Sequence, residues 1–369
     1  MNPPSVDIEG ANILRNFKLI LVVLITAGLQ TAAFAQVSIG LPCQNDDRKC
    51  AAKLRSQSPI KKMSYWESAF KKPVEKRVGS APDELVAYLN LDNIVGGFPN
   101  KPQAVTIPDD FLKDVSDAIA ELPGQVKQLI AKKLAGIYFV KDLGGTGYTD
   151  YINKGIFGLN AGFIVLDIDV LSKSTANAWA TWKERTPFIA DPRYRLDATI
   201  EDNGQDNRKN AIQYILLHEL GHILSLGENI HPQWGQSKNK ISLDDYPFAR
   251  ISWKAGNQND SRYISRFEKQ FPLRKNTVYY FGAKLNGDQM ISVYDQLEAT
   301  NFPTLYAATS PSDDFAESFV SYVHTELLKR PLEIRIYHNG QIAKTYKSCW
   351  EEKRCATKRK FLEAFLESR

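Results

Sequence analysis

Two histidines four residues apart, His218 and His222, enclose a glutamate, Glu219, in the stretch ILLHELGHIL at residues 215–224. Four residues is just over one helical turn, so both imidazoles fall on one face and can reach a single ion at about 2.0–2.1 Å. Glu219 can point into the same cleft and take a proton from water polarised there. The chemistry this suggests is hydrolysis. Zinc is the expected cofactor, because neutral imidazoles suit it and a partly open shell lets it polarise a carbonyl and acidify water to a pKa of roughly 7. H-E-x-x-H is short enough to arise by chance. Here the neighbouring residues are uncharged and free of proline, as a buried active-site helix requires.

A catalytic zinc takes a third protein ligand. The three-histidine metzincin pattern is not met, because Ser225 replaces its glycine and Glu228 its last histidine. The better candidates lie in YAATSPSDDFAESF, residues 306–319. Asp313 and Glu317 are one turn apart on one helical face, so one can ligate while the other supports a ligand from behind. Together, the two motifs resemble the gluzincin-like zincin metallopeptidases of the anthrax lethal factor and proline-proline endopeptidase group. There a tyrosine stands seven residues before the third ligand and an acidic residue four after it, the spacing of Tyr306, Asp313 and Glu317.

That resemblance implies a zincin-like core, Asp313 as third ligand, Glu317 behind it, and Tyr306 stabilising the oxyanion. It also implies a peptide or protein substrate, lying extended against an edge strand that precedes the active-site helix; residues 163–171 stand in the right order. Two features depart from the group. Its third ligand is normally glutamate, so with the shorter aspartate either the second helix approaches more closely or Glu317 takes over ligation. The interval from His222 to Asp313 is also long, because of an elaboration at about 228–301.

The elements that must position these residues are legible in outline. Residues 208–226 carry an apolar stripe of Ile212, Ile215, Leu216, Ile223 and Leu226, with Gly227 placed to end the helix. Upstream, Phe111, Val115, Ile119 and Leu122 share one face between Pro108 and Pro123, and a second helix is expected over 125–134. Residues 137–140 and 163–171 read as strands, the latter with Ile164, Leu166, Ile168 and Val170 on one face. Gly144, Gly145 and Gly147 between them read as a turn. Within the elaboration one strand is expected, near 277–285. A helix over 311–329, a hairpin of 332–338 and 341–347 about Asn339-Gly340, and an amphipathic helix after Cys355 complete an α+β fold with a mixed sheet.

The first 35 residues read as an export signal: Arg15 and Lys18 precede an apolar run at 19–27, and Ala33-Phe34-Ala35 precedes the expected cleavage. The run is shorter than the roughly 20 residues that cross a bilayer, so no stable membrane insertion is expected once the signal is removed. Residues 36–105, rich in Lys, Ser and Pro, read as an irregular lead-in to a catalytic domain at 106–369. Cys43 with Cys50 and Cys349 with Cys355 form two local pairs, which in an exported chain, periplasmic or secreted, suggests two disulfides. The net charge of +5 is a weak excess, and glutamates interleave the basic clusters, so no nucleic-acid partner is expected. His231, His324 and His338 have no motif around them. Competing functional readings are a non-catalytic zincin-fold binding protein and a zinc amidase acting on cell-wall material.

Overall fold

The computed structural model describes Cys43 and residues 47–153, 160–233, 242–256 and 263–367. The expected signal, 1–35, lies outside the described residues. From residue 48 the segment expected to be an irregular lead-in is folded instead. It forms helices α1 (Arg48–Gln57), α2 (Met63–Phe70) and α3 (Asp83–Gly96) and short strands β1 (Val78–Ser80) and β2 (Gln103–Ala104). Its polar composition hides a few large apolar anchors, Trp66, Leu85, Tyr88 and Leu89, all of which are buried. The described residues from Cys43 onward fall in one compact unit, and these N-terminal helices pack within it.

Helices α4 (Asp109–Ala120) and α5 (Gly124–Lys133) follow as expected. Pro108 and Pro123 stand immediately before them, and Asp109 and Asp110 complement the N-terminal dipole of α4. Then come β3 (Leu134–Lys141), β4 (Gly147–Ile152) and β5 (Ala161–Asp167). The sheet order is β1-β3-β5-β4, with β1, β3 and β5 parallel, β4 antiparallel to β5, and β2 antiparallel to the end of β3. One face packs Ile137, Phe139, Ile164 and Leu166 against the central helices, while the other packs Val140, Phe163 and Val165 against Trp66 and Tyr88. Covered on both faces, β5 is buried throughout.

Two expectations for residues 163–171 are thereby corrected. The strand stops at Asp167, whose carboxylate accepts hydrogen bonds from the Asp169 and Val170 amides and starts the short helix α6 (Ile168–Leu171). Also, β5 is interior; the edge strand is β4, because β5 is hydrogen-bonded on both sides.

Beyond α7 (Ala176–Arg185) and β6 (Phe188–Ile189), β7 (Tyr194–Thr199) leads to the central helix α8 (Arg208–Ser225), capped by Asn207. Lys133 Nζ donates to the Leu224 and Leu226 carbonyls at its other end, at 3.1 and 2.7 Å. The elaboration contains α9 (Ala249–Ser252), the β8 (Trp253–Ala255) and β9 (Tyr263–Ser265) pair, β10 (Leu285–Asn286) beside β6, and α10 (Met290–Glu298). The strand expected at 277–285 is absent apart from Leu285. Tyr280 and Gly282 have φ of 67° and 92°, left-handed conformations that end any extended run.

Helix α11 (Pro311–Tyr322) continues into a π turn over Val323–Leu327, so the helical run ends two residues short of the expected 329. The hairpin of β11 (Glu333–His338) and β12 (Gln341–Lys347) extends β7 into a three-stranded antiparallel sheet. Its turn residues Asn339 and Gly340 have φ of 50° and 82°, as a two-residue primed turn demands. Helix α12 (Ala356–Glu367) closes the described chain. Both expected disulfides are present, and among the described residues no helix is long and apolar enough to cross a membrane.

Helix α12 is tied to α11 by a wholly buried ion pair, Lys358 with Asp314, whose other carboxylate oxygen accepts from Trp253 Nε1 at 3.0 Å. Removing one partner leaves an uncompensated buried charge, which costs about 3–5 kcal/mol. Lys358→Met is therefore expected to lower unfolding free energy by that amount in urea titrations. Adding Asp314→Leu should restore most of it, because the stranded carboxylate is gone.

Candidate metal centre

Helix α8 presents His218, Glu219 and His222 toward the space between β4 and α11. The crossing with α11 is close: a Cβ on Gly221 would stand 2.8 Å from Ala316 Cα. Only glycine permits that approach, and it offsets the short reach of Asp313 on the facing helix. Ligand atoms of His218, His222 and Asp313 lie within 4.8 Å of one another, and His222 Nε2 is 3.7 Å from Asp313 Oδ1. Asp313 Oδ2 is held from behind by Ser310 Oγ at 2.6 Å and Thr309 Oγ1 at 3.2 Å, which leaves Oδ1 for the cluster.

Glu317 is occupied elsewhere, so the structure separates the two carboxylates that the spacing alone left interchangeable. Its Oε1 is 2.9 Å from His218 Nδ1 and accepts from Lys183 Nζ at 2.8 Å, while Oε2 accepts from Thr304 Oγ1 at 2.6 Å. With Nδ1 so engaged, Nε2 is the His218 nitrogen left for an ion, the usual carboxylate–histidine arrangement behind a metal ligand. Glu317 thus backs His218, and the carboxylate that joins the two histidines in the cluster is that of Asp313.

Burial works against the Glu317 anion, but the Lys183 ammonium and His218 outweigh it and hold its carboxyl well below the usual range. Glu219 has no such cation. Burial raises its pKa, opposed in part by His218 and by the 2.5 Å hydrogen bond from Thr149 Oγ1 on β4. Burial, followed by the neighbouring charge of His218, keeps His222 neutral, the form that ligates. Two glutamates one helix crossing apart are therefore tuned oppositely, one as a permanent anion and one poised to exchange a proton.

The glycine at the start of β4 leaves Glu219 its present position: a Cβ on Gly147 would meet its Oε1 at 2.4 Å and push the side chain aside. Tyr306, in the turn before α11, sits with its ring centroid 5.6 Å from that of His218 and 4.7 Å from Lys183 Nζ. His218, Glu219 and Tyr306 line one wall of a cleft of about 250 Å3, whose surface is mainly apolar. Leu89, Asp92 and Phe98 of the N-terminal segment line it too, as do Tyr280 and Phe281 of the elaboration.

Two imidazoles and one carboxylate, with room beside Glu219, match the donor set of a catalytic zinc site rather than a closed four-ligand one. Sequence reasoning missed Lys183, Thr304 and Thr149, which come from distant elements without a motif, and read Gly147 only as part of a turn, whereas it opens β4. Ser310 did carry a signal, since S-x-x-D before an apolar run is a helix-capping pattern. The remaining histidines lie apart: His231 bonds Ser225 Oγ, His324 the Ile200 carbonyl, and His338 stacks on Tyr194. No known protein family, curated protein or solved structure matches the chain.

His231 and His324 are buried neutral, and burial pushes each pKa down to about 4. The unfolded chain, with ordinary histidines, binds protons first as pH falls. The native state should therefore be fully stable above pH of about 6.5 and lose roughly 3 kcal/mol per histidine as pH drops to 4. Urea midpoints measured from pH 8 to 4 should decline over that window, and the His324 ring resonance should not titrate until about pH 4.

Proposed function

We propose that the chain is an exported zinc metallopeptidase of the zincin kind. The observation that carries the reading is the convergence of His218, His222 and Asp313 beside a second buried carboxylate, Glu219, which is not part of the donor cluster and faces the cleft. A structural site gains nothing from such a carboxylate; a hydrolytic one requires it. Two local disulfides support export.

His218, His222 and Asp313 would hold the zinc, which supplies Lewis-acid polarisation of the scissile carbonyl and acidification of water. Glu219, raised in pKa by burial, accepts the proton of the attacking water and passes it to the departing amine. Thr149 keeps the Glu219 carboxylate aligned through its hydrogen bond. Tyr306, beside His218, donates toward the carbonyl oxygen as charge develops there. The substrate lies extended along β4, whose outer edge has no partner strand over Gly147–Ile152 among the described residues.

Metal analysis and peptide-library digestion of wild type beside three variants test this. Wild type should hold one zinc and cleave. Glu219→Ala should keep the metal and lose at least about a hundredfold in kcat, the lower range for a general base. Asp313→Ala should lose both metal and activity, and Glu317→Gln should weaken zinc binding by about 10–100-fold. A zinc-loaded wild type that cleaves nothing, indistinguishable from Glu219→Ala, sinks the reading.

A further inference from the structure

Large apolar side chains exposed to solvent are few among the described residues, and four of the seven form one strip: Phe98, Trp182, Tyr280 and Phe281. Ring centroids of Phe98 and Phe281 are 5.7 Å apart, as are those of Trp182 and Tyr280. The strip runs inward through Tyr280 to Tyr306, at 6.2 Å, and thence to His218, at 5.6 Å. Phe98, Tyr280 and Phe281 form part of the cleft lining, and Phe281 is 68% exposed.

The backbone is bent to put these rings there. Phe98 follows the left-handed Gly97 at the end of α3. Tyr280, an aromatic residue at φ 67°, sits in a tight turn closed by a 2.8 Å bond from the Phe281 amide to the Tyr279 carbonyl. Strain of this sort persists where the surroundings enforce it, typically at binding sites. Contiguous exposed aromatics likewise mark a surface that is covered in use.

We propose that this strip binds the part of a substrate on the leaving-amine side of the cleaved bond, and selects a bulky apolar or aromatic side chain there. The assignment rests on the peptidase reading. The side follows from the lining: Glu219, which hands its proton to the amine, borders the cleft together with His218 and Tyr306, whereas His222 and Asp313 on the other side of the cluster do not. The class follows from size and polarity. A cleft of about 250 Å3 is smaller than the 300–1,000 Å3 of pockets that enclose whole small molecules, and suits a single large side chain. Beyond Glu219 and His218 at the metal cluster, its charged groups are already committed, Lys183 to Glu317 and Asp92 to Arg55, and the rings of the strip offer a side chain only apolar surface.

The test is product sequencing after digestion of a randomised peptide library by the zinc-loaded chain, followed by kinetics on two decapeptides differing only in Phe or Ala after the cleaved bond. Large apolar residues should be enriched at the first position of the C-terminal products. Phe281→Ala and Phe98→Ala should each cut the Phe-over-Ala ratio of kcat/KM by about tenfold. No enrichment, or variants that slow both peptides equally, overturns the assignment while leaving the hydrolase intact. Fluorescence polarisation with zinc-loaded Glu219→Ala checks the strip independently of turnover, using labelled decapeptides with a central Phe or Ala. Binding at least about tenfold tighter for Phe, lost in Glu219→Ala/Phe281→Ala, supports it; equal binding overturns it. Failure of wild type to cleave anything defeats the hydrolase alone, and the binding ratio still decides the strip.

Discussion

The close crossing of α8 and α11 at Gly221 and Ala316 is the constraint on which the site depends. Helix α8 brings two imidazoles and Glu219 by its periodicity alone, but a two-histidine pair is an incomplete donor set until α11 delivers a carboxylate. With aspartate in that role the backbones must be near, and the absent Cβ at position 221 allows it. The Ser310 cap then fixes where α11 begins, so that Asp313 falls in its first turn with one oxygen tied back and the other facing His222.

Around that crossing, buried charge is arranged in pairs, each satisfied by a partner from another element. Lys183 of α7 neutralises Glu317 of α11, and Thr304 completes its hydrogen bonding. Lys358 of α12 neutralises Asp314, the next residue after Asp313 of the cluster. Successive residues of one helix thus serve different ends, one facing the cluster and one anchoring the helix from behind. An unpaired charge in either place would be costly in so buried an environment, which is why these cations are as essential to the geometry as the groups that face the cleft.

The N-terminal segment has a comparable role on the opposite side. Lys61 Nζ donates to Asp150 at 2.9 Å, and the hydroxyls of Tyr88 and Tyr148 converge on the same carboxylate. Asp150 follows Thr149 on β4, so the strand that aligns Glu219 is itself held by residues from outside the central core. Leu89 and Phe98 reach from the same segment into the cleft, and the elaboration supplies Tyr280 and Phe281 to meet them. Segments that carry no metal donor therefore give the cleft its walls.

His218, Glu219 and His222 were legible in the sequence because helical geometry relates residues four apart without reference to anything else. The disulfide pairs, the Asn339-Gly340 hairpin, α4 and α12 were legible for the same reason: their determinants are local. The choice between Asp313 and Glu317 was not, since both lie on one helical face and only Lys183 and Thr304, from distant stretches, occupy Glu317. Nor was the identity of the edge strand, because an apolar run such as 161–167 looks alike at an edge or an interior position, and its place depends on what pairs with either side. The helical character of residues 48–96 was obscured by a polar composition in which only a few anchors are buried. What the sequence by itself determined was local periodicity, capping and turn chemistry. What tertiary structure decided was which carboxylate is free, which strand is exposed and which side chains wall the cleft, because each of those depends on contacts between residues far apart in the chain.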